Sequence, residues 1–561
     1  MRFKIFLIFF AVFLIPLPAQ ATEGEFNVDP SYDYLARSKV SAFLYQIGEN
    51  AYFYVEEGYY NNLDIDKKKE FSEAIKNLSQ EFDNKIYPKL KEVFGSEPNP
   101  GIDKDPRLIV LITQIKGEAG GYFNSGDEYP KAQSPDSNER EMLYLNATYI
   151  ASPLVKSYLA HEFTHLIIFN QKNNLHNVEE EVWLNEARAE AAVSLLGYDL
   201  NYQGSNLQKR VRTFSQNPTD PLTEWKNLAP DYGVANIFVQ YLLDHYDVKI
   251  LSDSLHSDKI GIASLDEVLQ RSGSVKNFAQ IFTDWSIAVL VNDCSLGREY
   301  CYLNPNLQNL RILPKLNYLP LSDESVLTVI DYTKNWAGNW IKFIGGRGTL
   351  KLEFVGETGE KFNVPYLTKN FYGNYSISFF NLDNNQRGIV YLPGFGRDYE
   401  SLVIVPSLQK KTAGFDGLES FHKFIWSTSL TNEETPQKEQ EAKLIQQLLS
   451  QIESLKKEIA IAQAKISAIL LARQKPVSPN SGLACPAFSQ DLYFGLADNS
   501  EVRCLQKFLL NQGPEIYPEG LITGNFGALT KAALIRFQKK NSIPGTGYFG
   551  PLTRQLLNSS D

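Results

Sequence analysis

Residues Arg107 to Ile115 form a short apolar, β-branched run between polar stretches, the pattern of a buried strand. A glycine-rich turn follows at Gly117 to Gly126, then a second strand around Met142 to Leu145. Apolar positions at helical spacing predict helices from about Val155 to Gln171, Val182 to Leu196, Val234 to Tyr246 and Phe278 to Val291. Upstream, from about Tyr32 to Phe94, charged and apolar positions mix at helix spacing, so a helical region is expected there. Beyond Cys301 the texture changes. Residues 325–407 alternate polar and apolar, as in Leu350 to Phe354, with turns at Gly345-Gly346 and Asp383-Asn384-Asn385. Short alternating strands between turns predict a β-sandwich. It contains no cluster of catalytic residue types, so a spacer, substrate-binding or stabilising role is expected of it.

A polar stretch, Thr431 to Glu441, leads into Ile445, Leu448, Ile452, Leu455, Ile459, Ala462, Ile466 and Ile469, which alternate spacings of three and four. These are the a and d positions of a short coiled coil, and they predict self-association or a helix folded back on the β domain. Pro476 to Gly482 reads as a linker. The last region contains an internal repeat: Gly524-Asn525-Phe526-Gly527-Ala528-Leu529-Thr530 recurs as Gly547-Tyr548-Phe549-Gly550-Pro551-Leu552-Thr553. Each copy is a glycine turn, a buried aromatic and a helix start, and an amphipathic helix, Val502 to Leu509, precedes the first. With Arg536-Phe537-Gln538, these features resemble the small three-helix peptidoglycan-binding domains. The resemblance implies a bacterial cell-wall partner.

The chain has 561 residues, too many for one core, so three or more domains are expected. A net charge of −10 argues against a nucleic-acid partner, which would require a basic footprint. Arg2 and Lys4 precede an apolar run, Ile5 to Leu17, that ends in Ala19-Gln20-Ala21. This is the pattern of a secretory signal peptide cleaved near Ala21, so the mature protein is expected outside the cell or in its envelope. The cysteines agree with an oxidising compartment. Proximity favours pairing Cys294 with Cys301 and Cys485 with Cys504, among the three connectivities that four cysteines allow. The absence of a C-x-x-C pair speaks against a four-thiolate zinc site.

The chemistry concentrates at His161-Glu162-Phe163-Thr164-His165. Histidines four apart on a helix project from one face, so both imidazoles can reach a single ion, and the glutamate between them can serve as general base. Pro153 suits the first turn of this helix. Downstream, in Trp183-Leu184-Asn185-Glu186-Ala187-Arg188-Ala189-Glu190, Glu186 stands twenty-one residues after His165. A second helix can bring it beside the histidines. Two imidazoles and one carboxylate leave the fourth position of a catalytic zinc open. Glu190, one turn on, is placed to fix a ligand histidine's tautomer, and Asn185 to orient the ligands. Zinc, one per chain, suits this donor set best, although cobalt or manganese can occupy it in vitro.

The paired motifs resemble the gluzincin metallopeptidases, and more narrowly the hyicolysin-type secreted bacterial peptidases. The supporting features are the G-G-Y-F-N turn at 120–124, N-E-R-E-M-L-Y-L at 138–145, and Asp231-Tyr232-Gly233 followed by Phe238 to Leu243. The resemblance spans about residues 100–290 and places a tyrosine at the start of the downstream helix. Tyr232 is thereby the expected oxyanion donor, with His176 and His245 as further candidates. The aminopeptidase motif G-x-M-E-N is missing, which favours endopeptidase action.

The expected architecture is multidomain. A signal peptide (1–21) and an N-terminal helical region (22–95) precede an α+β zincin-type protease domain (96–305). A β-sandwich-like domain (306–425), a coiled coil or helical linker (432–475), a flexible linker (476–484) and a peptidoglycan-binding-like three-helix domain (485–561) follow. The expected function is hydrolysis of protein or peptide substrates at the cell wall. The alternative is a non-catalytic cell-wall-binding or adhesion protein on a decayed protease scaffold. Intact Glu162 speaks against it, because a decayed site has no reason to keep its base. A third reading keeps the zinc and takes peptidoglycan peptides as substrate.

Overall fold

The apolar run at 107–115 becomes β4 (Leu108–Thr113) in the computed structural model of the chain, with all six residues buried. The structure describes residues 23–319, 325–410, 418–431, 446, 448, 449, 452, 485, 487–518 and 520–558. The expected signal peptide, the coiled coil apart from those four isolated positions, and the 476–484 linker lie outside the described residues. β4 belongs to a six-stranded sheet with β1 (Glu23–Asn27), β2 (Lys39–Ile47), β3 (Ala51–Glu56), β5 (Gly121–Phe123) and β6 (Met142–Asn146), in the order β1-β2-β3-β4-β6-β5. β3, β4 and β6 run parallel, while β5 pairs antiparallel with β6 and forms one edge.

The expected all-helical stretch from Tyr32 to Phe94 is corrected over residues 39–56, which are two strands joined by a turn. Lys39–Ile47 and Ala51–Glu56 are rich in aromatic and β-branched residues, which suit a pleated, half-buried surface better than a helix. Helices begin only at α1 (Glu57–Asn61), α2 (Ile65–Glu81) and α3 (Tyr87–Phe94). Their apolar faces share one core with β3, β4 and the helix that carries the two histidines. Phe53, Val55, Phe71, Ile75, Phe82 and Phe94 pack with Leu159, Phe163 and Leu166. Residues 23–95 therefore contribute three of the six strands of the sheet on which the site is built and share its core.

Seven helices follow: α4 (Val155–Ile168), α5 (Val182–Leu195), α6 (Asn206–Gln216), α7 (Ala229–Tyr246), α8 (Lys249–Leu255), α9 (Gly261–Arg271) and α10 (Phe278–Val291). The helix expected through Gln171 stops at Ile168 and widens into a π-type turn over Phe169–Asn174. α10 is buried almost all round because the next domain covers its far side. Trp336 packs on Phe278 and Phe282 at 5.1 and 5.3 Å, and Trp340 donates its indole N–H to the Ser286 carbonyl at 2.8 Å.

Among the described residues, that next domain holds eleven strands between Lys315 and Thr431, nine in one sheet and two, Phe362–Asn363 and Ser407–Leu408, in a small separate pair. Two groups of strands join through a single residue pair, Phe395 with Tyr399, and face each other across a common apolar core. Phe343 from one group meets Trp426 from the other at 4.9 Å. This two-layer arrangement is what the alternation of residues 325–407 predicts, because every second side chain turns inward.

The C-terminal region folds as α11 (Ser500–Asn511), α12 (Ala528–Lys540) and α13 (Pro551–Asn558) around Leu505, Phe526, Phe537 and Phe549. The sequence repeat has a structural cause. Gln506 accepts from Gly524 N and donates to Thr530 Oγ1, each at 2.9 Å. Gln538 does the same with Gly547 N and Thr553 Oγ1, also at 2.9 Å. Gly524 and Gly547 have φ of +82° and +69°, conformations that a side chain would strain. Cys294 pairs with Cys301, and Cys485 with Cys504. Among the described residues no helix is long and apolar enough to cross a membrane.

Because Phe53 is fully buried in the shared core, Phe53→Ala is expected to cost about 3–5 kcal/mol. Chemical denaturation followed by tryptophan fluorescence should show the loss in the unfolding of the whole unit built on this sheet, not in a separate N-terminal transition.

Candidate metal centre

α4 turns one face inward and the other to a cleft. Leu159, Ala160, Phe163, Leu166 and Ile167 enter the core, where Phe163 meets Phe82 at 5.2 Å and stacks on Tyr87 at 5.5 Å. The opposite face presents His161, Glu162 and His165. α5 packs beside it through Trp183, Leu184, Ala187 and Ala191, whose small alanines allow close approach. Glu186 and Glu190, four apart, share the face of α5 that looks at α4.

The connection between the two helices is tied down by buried charge. Arg188 bonds Glu180 at 2.6 Å, the Leu251 carbonyl at 3.1 Å and Ser254 Oγ at 2.9 Å. Lys172 Nζ donates to the carbonyls of Ser254, Ser257 and Lys259 at 2.5–2.8 Å.

One nitrogen of His161, one of His165 and one oxygen of Glu186 lie within 4.8 Å of one another. Glu186 Oε2 is 3.1 Å from His161 Nε2 and 3.6 Å from His165 Nε2. The Nδ1 atoms point away. That of His165 is 2.8 Å from Asn185 Oδ1, and that of His161 is 3.7 Å from Glu190 Oε1. Two Nε2 atoms and a carboxylate oxygen converging on one point, with each Nδ1 turned to an oxygen behind it, is a donor set that fits a tetrahedral divalent cation.

The electrostatics agree with that fit. Burial opposes protonation of His161, but Glu186, then Glu162 and Glu190, outweigh it and raise the imidazole to about 9. Burial, helped by the His161 charge, drives His165 the other way, below its ordinary value, against the pull of Glu186. Glu162 is pushed up to about 8, first by burial and then by Glu186 and Glu190. Burial works against the Glu186 carboxylate too, yet the two imidazoles hold it below the usual range.

Glu190 is held by residues that sequence spacing did not reveal. Its carboxylate accepts from Arg210 at 2.5 Å, Asn206 at 2.8 Å and Asn236 at 2.7 Å. These partners come from α6 and α7, and nothing in their spacing marks them. Tyr232 stands in the first turn of α7 with its hydroxyl donating to Asn227 Oδ1 at 2.9 Å and the Arg210 guanidinium 4.7 Å above its ring. The other two expected donors are engaged elsewhere. His176 Nδ1 is 2.6 Å from the Gln171 carbonyl, and His245 Nε2 is 2.9 Å from the Cys301 carbonyl. Neither lines the cavities at the cluster.

Two adjoining cavities open there. One, of about 210 Å³, is bounded by His161, Glu162, His165, Glu186, Tyr32 and Tyr232. The other, of about 400 Å³, extends past Tyr158, Glu190, Asn206 and Arg210. The G-G-Y-F-N segment forms their floor. A Cβ at Gly121 would sit 2.9 Å from Glu162 Cγ, and one at Gly120 would run into the Tyr158 ring, so only glycine lets β5 come this close.

A chain with this geometry has a known counterpart. It is similar to a neutral metalloprotease. The relative, neutral metalloprotease ShpI of Staphylococcus hyicus, is 28% identical over 279 residues, which are 45% of this chain and 59% of the relative. The chain thus spans somewhat over half of that relative's length. The peptidoglycan binding domain family matches residues 498–557. Among solved structures, the pre-peptidase C-terminal domain of a Bacillus anthracis collagenase aligns with 21% of this chain and 97% of its own, at 9% identity and a TM-score of 0.15. A family GH115 4-O-methyl-α-glucuronidase aligns with 51% of this chain and 40% of its own, at 11% identity and a TM-score of 0.13. Likeness at that level carries no argument.

Asn185→Ala removes the oxygen that orients the His165 ring, and it is expected to weaken zinc binding about 10–100-fold with the fold intact. Competition against a chromophoric chelator measures the affinity, and circular dichroism checks the fold.

Proposed function

We propose that the protein is an exported zinc endopeptidase that its C-terminal domain holds at the bacterial cell wall. The observation that carries this reading is the convergence of His161, His165 and Glu186 on one point with Glu162 in the same cavity. The likeness to a neutral metalloprotease supports it, as does the peptidoglycan binding domain match at residues 498–557.

In this reading His161 and His165 hold the ion through Nε2 and Glu186 through Oε2. Asn185 and Glu190 keep the two rings in the required tautomer from the Nδ1 side. Bound zinc supplies a Lewis acid that polarises a carbonyl and lowers the pKa of water to about 7. Glu162 takes the proton from the attacking water and returns it to the leaving amine. Its burial raises its proton affinity, which strengthens it as the base that takes the water proton. Tyr232 is the oxyanion donor expected from sequence, and its position on the cavity wall is compatible with that role. The edge strand β5 lies along the cleft and is suited to align an extended peptide by main-chain hydrogen bonds. Such alignment along the middle of a chain agrees with endopeptidase action.

The C-terminal domain rests on the protease domain in the described structure. Tyr129 donates its hydroxyl to the Gly545 carbonyl at 3.1 Å, and Lys531 pairs with Glu179 at 3.2 Å. Lys539 reaches the Asn173 carbonyl. Wall binding through residues 485–561 would therefore bring the cleft close to surface-bound substrate.

Purified residues 22–561 are expected to carry one zinc per chain and to cleave casein. Glu162→Gln should retain the zinc and lose activity about a hundred- to ten-thousandfold. Metal analysis and a casein assay read the two quantities. Zinc with no casein cleavage but release of peptidoglycan peptides would move the substrate to the wall itself. No zinc in either protein would remove the peptidase reading in favour of a non-catalytic wall-binding protein. Separately, the full chain should sediment with purified peptidoglycan, and a chain ending at residue 484 should stay in the supernatant.

A further inference from the structure

One wall of the metal cavity comes from the very start of the described chain. Tyr32, in the loop between β1 and β2, borders both cavities together with Gly121, His161, Glu162 and Tyr232. Its loop is fixed rather than loose. The buried Asp33 carboxylate accepts from the backbone of Leu35 at 2.8 Å and of Arg37 at 2.9 Å. It also pairs with the Arg37 guanidinium at 2.7 Å, which in turn reaches Glu56 on β3 at 2.7 Å. Main-chain bonds dock the loop on the segment after β4: Lys116 N to the Tyr32 carbonyl at 2.7 Å, and Tyr34 N to the Gln114 carbonyl at 3.0 Å.

The ring itself is held by stacking. Tyr144 stacks on Tyr122 at 4.2 Å, and Tyr122 on Tyr32 at 4.6 Å. Three rings in a column carry the Tyr32 hydroxyl out to the cavity with little freedom left to lose on binding a substrate.

Asn227 then separates the two phenols that face the cluster. It lies just before α7 in the left-handed region, at φ +59°, which asparagine tolerates. Its side-chain oxygen accepts the proton of Tyr232 at 2.9 Å. Asn227 also lowers the Tyr32 phenol's pKa, the effect of an amide N–H near its oxygen. An amide accepts only through oxygen and donates only through nitrogen. The Tyr232 proton is therefore engaged, whereas the Tyr32 proton is not taken by Asn227. Glu162 and Glu186 line the smaller cavity with Tyr32, and their charges, after burial, raise its phenol above the ordinary value, which puts it on the reacting side of the cavity.

We propose that Tyr32 is a further catalytic residue of this centre, donating a hydrogen bond to the oxyanion of the peptide under attack from a position already formed in the free protein. Tyr232 must first break its bond to Asn227 before it can donate, so it is the secondary donor. The proposal rests on the peptidase reading above. It also makes residues 29–38 part of the working enzyme, not a segment to be discarded on maturation.

Tyr32→Phe tests it, because the ring and its stack on Tyr122 survive while the proton is lost. Three quantities are compared in the zinc-loaded full chain and in Tyr32→Phe and Tyr232→Phe: zinc stoichiometry, peptide cleavage, and calorimetric affinity for a phosphinic dipeptide, whose tetrahedral oxygens mimic the oxyanion. The expected result for Tyr32→Phe is unchanged zinc and thermal midpoint, with kcat reduced about 10²–10³-fold and KM little changed. Phosphinic-peptide affinity should fall by a comparable factor, and Tyr232→Phe should cost less. Wild-type cleavage and phosphinic-peptide affinity in Tyr32→Phe would overturn the proposal. So would a larger loss in Tyr232→Phe, or loss of zinc or thermal stability in Tyr32→Phe, which would make Tyr32 structural. If the wild-type chain binds zinc but neither cleaves peptides nor binds the phosphinic dipeptide, the peptidase reading itself fails and the role of Tyr32 falls with it.

Discussion

Three carboxylates, Glu162, Glu186 and Glu190, stand on two neighbouring helices around a pair of imidazoles, largely out of water. Holding that much negative charge in one place is the constraint that the surrounding structure answers. Uncompensated buried charge is costly, so each carboxylate has its own solution. Glu190 is neutralised by Arg210 and saturated by Asn206 and Asn236. Glu186 is shared between His161 and His165. Glu162 is left with its proton affinity raised, first by burial and then by Glu186 and Glu190, which together outweigh the neighbouring His161. A divalent ion at the convergence point would relieve the remaining charge, which is the electrostatic case for a metal here.

The helices can hold this arrangement only because their backs are fixed. α4 presses its apolar face on α2, α3 and the sheet, and the chain between α4 and α5 is pinned by Lys172, Glu180 and Arg188. The β domain extends the support, since its tryptophans close the far side of α10. A role for that domain in stabilising the unit that carries the candidate metal centre thus has a contact basis. The C-terminal domain touches the same connection from outside, through Asn173 and Glu179, so the segment linking the two metal-site helices is gripped from within and without.

Much of this was legible in the chain. The spacing of His161, Glu162 and His165, and of Glu186 and Glu190, predicted two helices with one shared face, and the structure has both. Cysteine proximity predicted both disulfides. The strand pattern of 325–407 and the repeated glycine turns of the last domain were also readable, because each rests on a local period or on a backbone conformation that only glycine adopts easily. The misreading at residues 39–56 has an equally physical origin. Those residues mix apolar and polar positions at spacings compatible with either period, and pairing of β2 with β1 and β3, and of β3 with β4, completes the preference of their aromatic and β-branched residues for strand.

Periodicity and side-chain chemistry, both local properties, thus allowed the sequence alone to determine which residues could bind an ion and which could act as a base. Tertiary structure decided the rest: that Arg210, Asn206 and Asn236 hold Glu190, that Asn227 engages Tyr232, and that Tyr32 arrives at the cavity from residues that precede the motif by more than a hundred positions. These contacts are set by how sheet, helices and loops pack together, and the repeating spacing of a helix or strand carries no record of them.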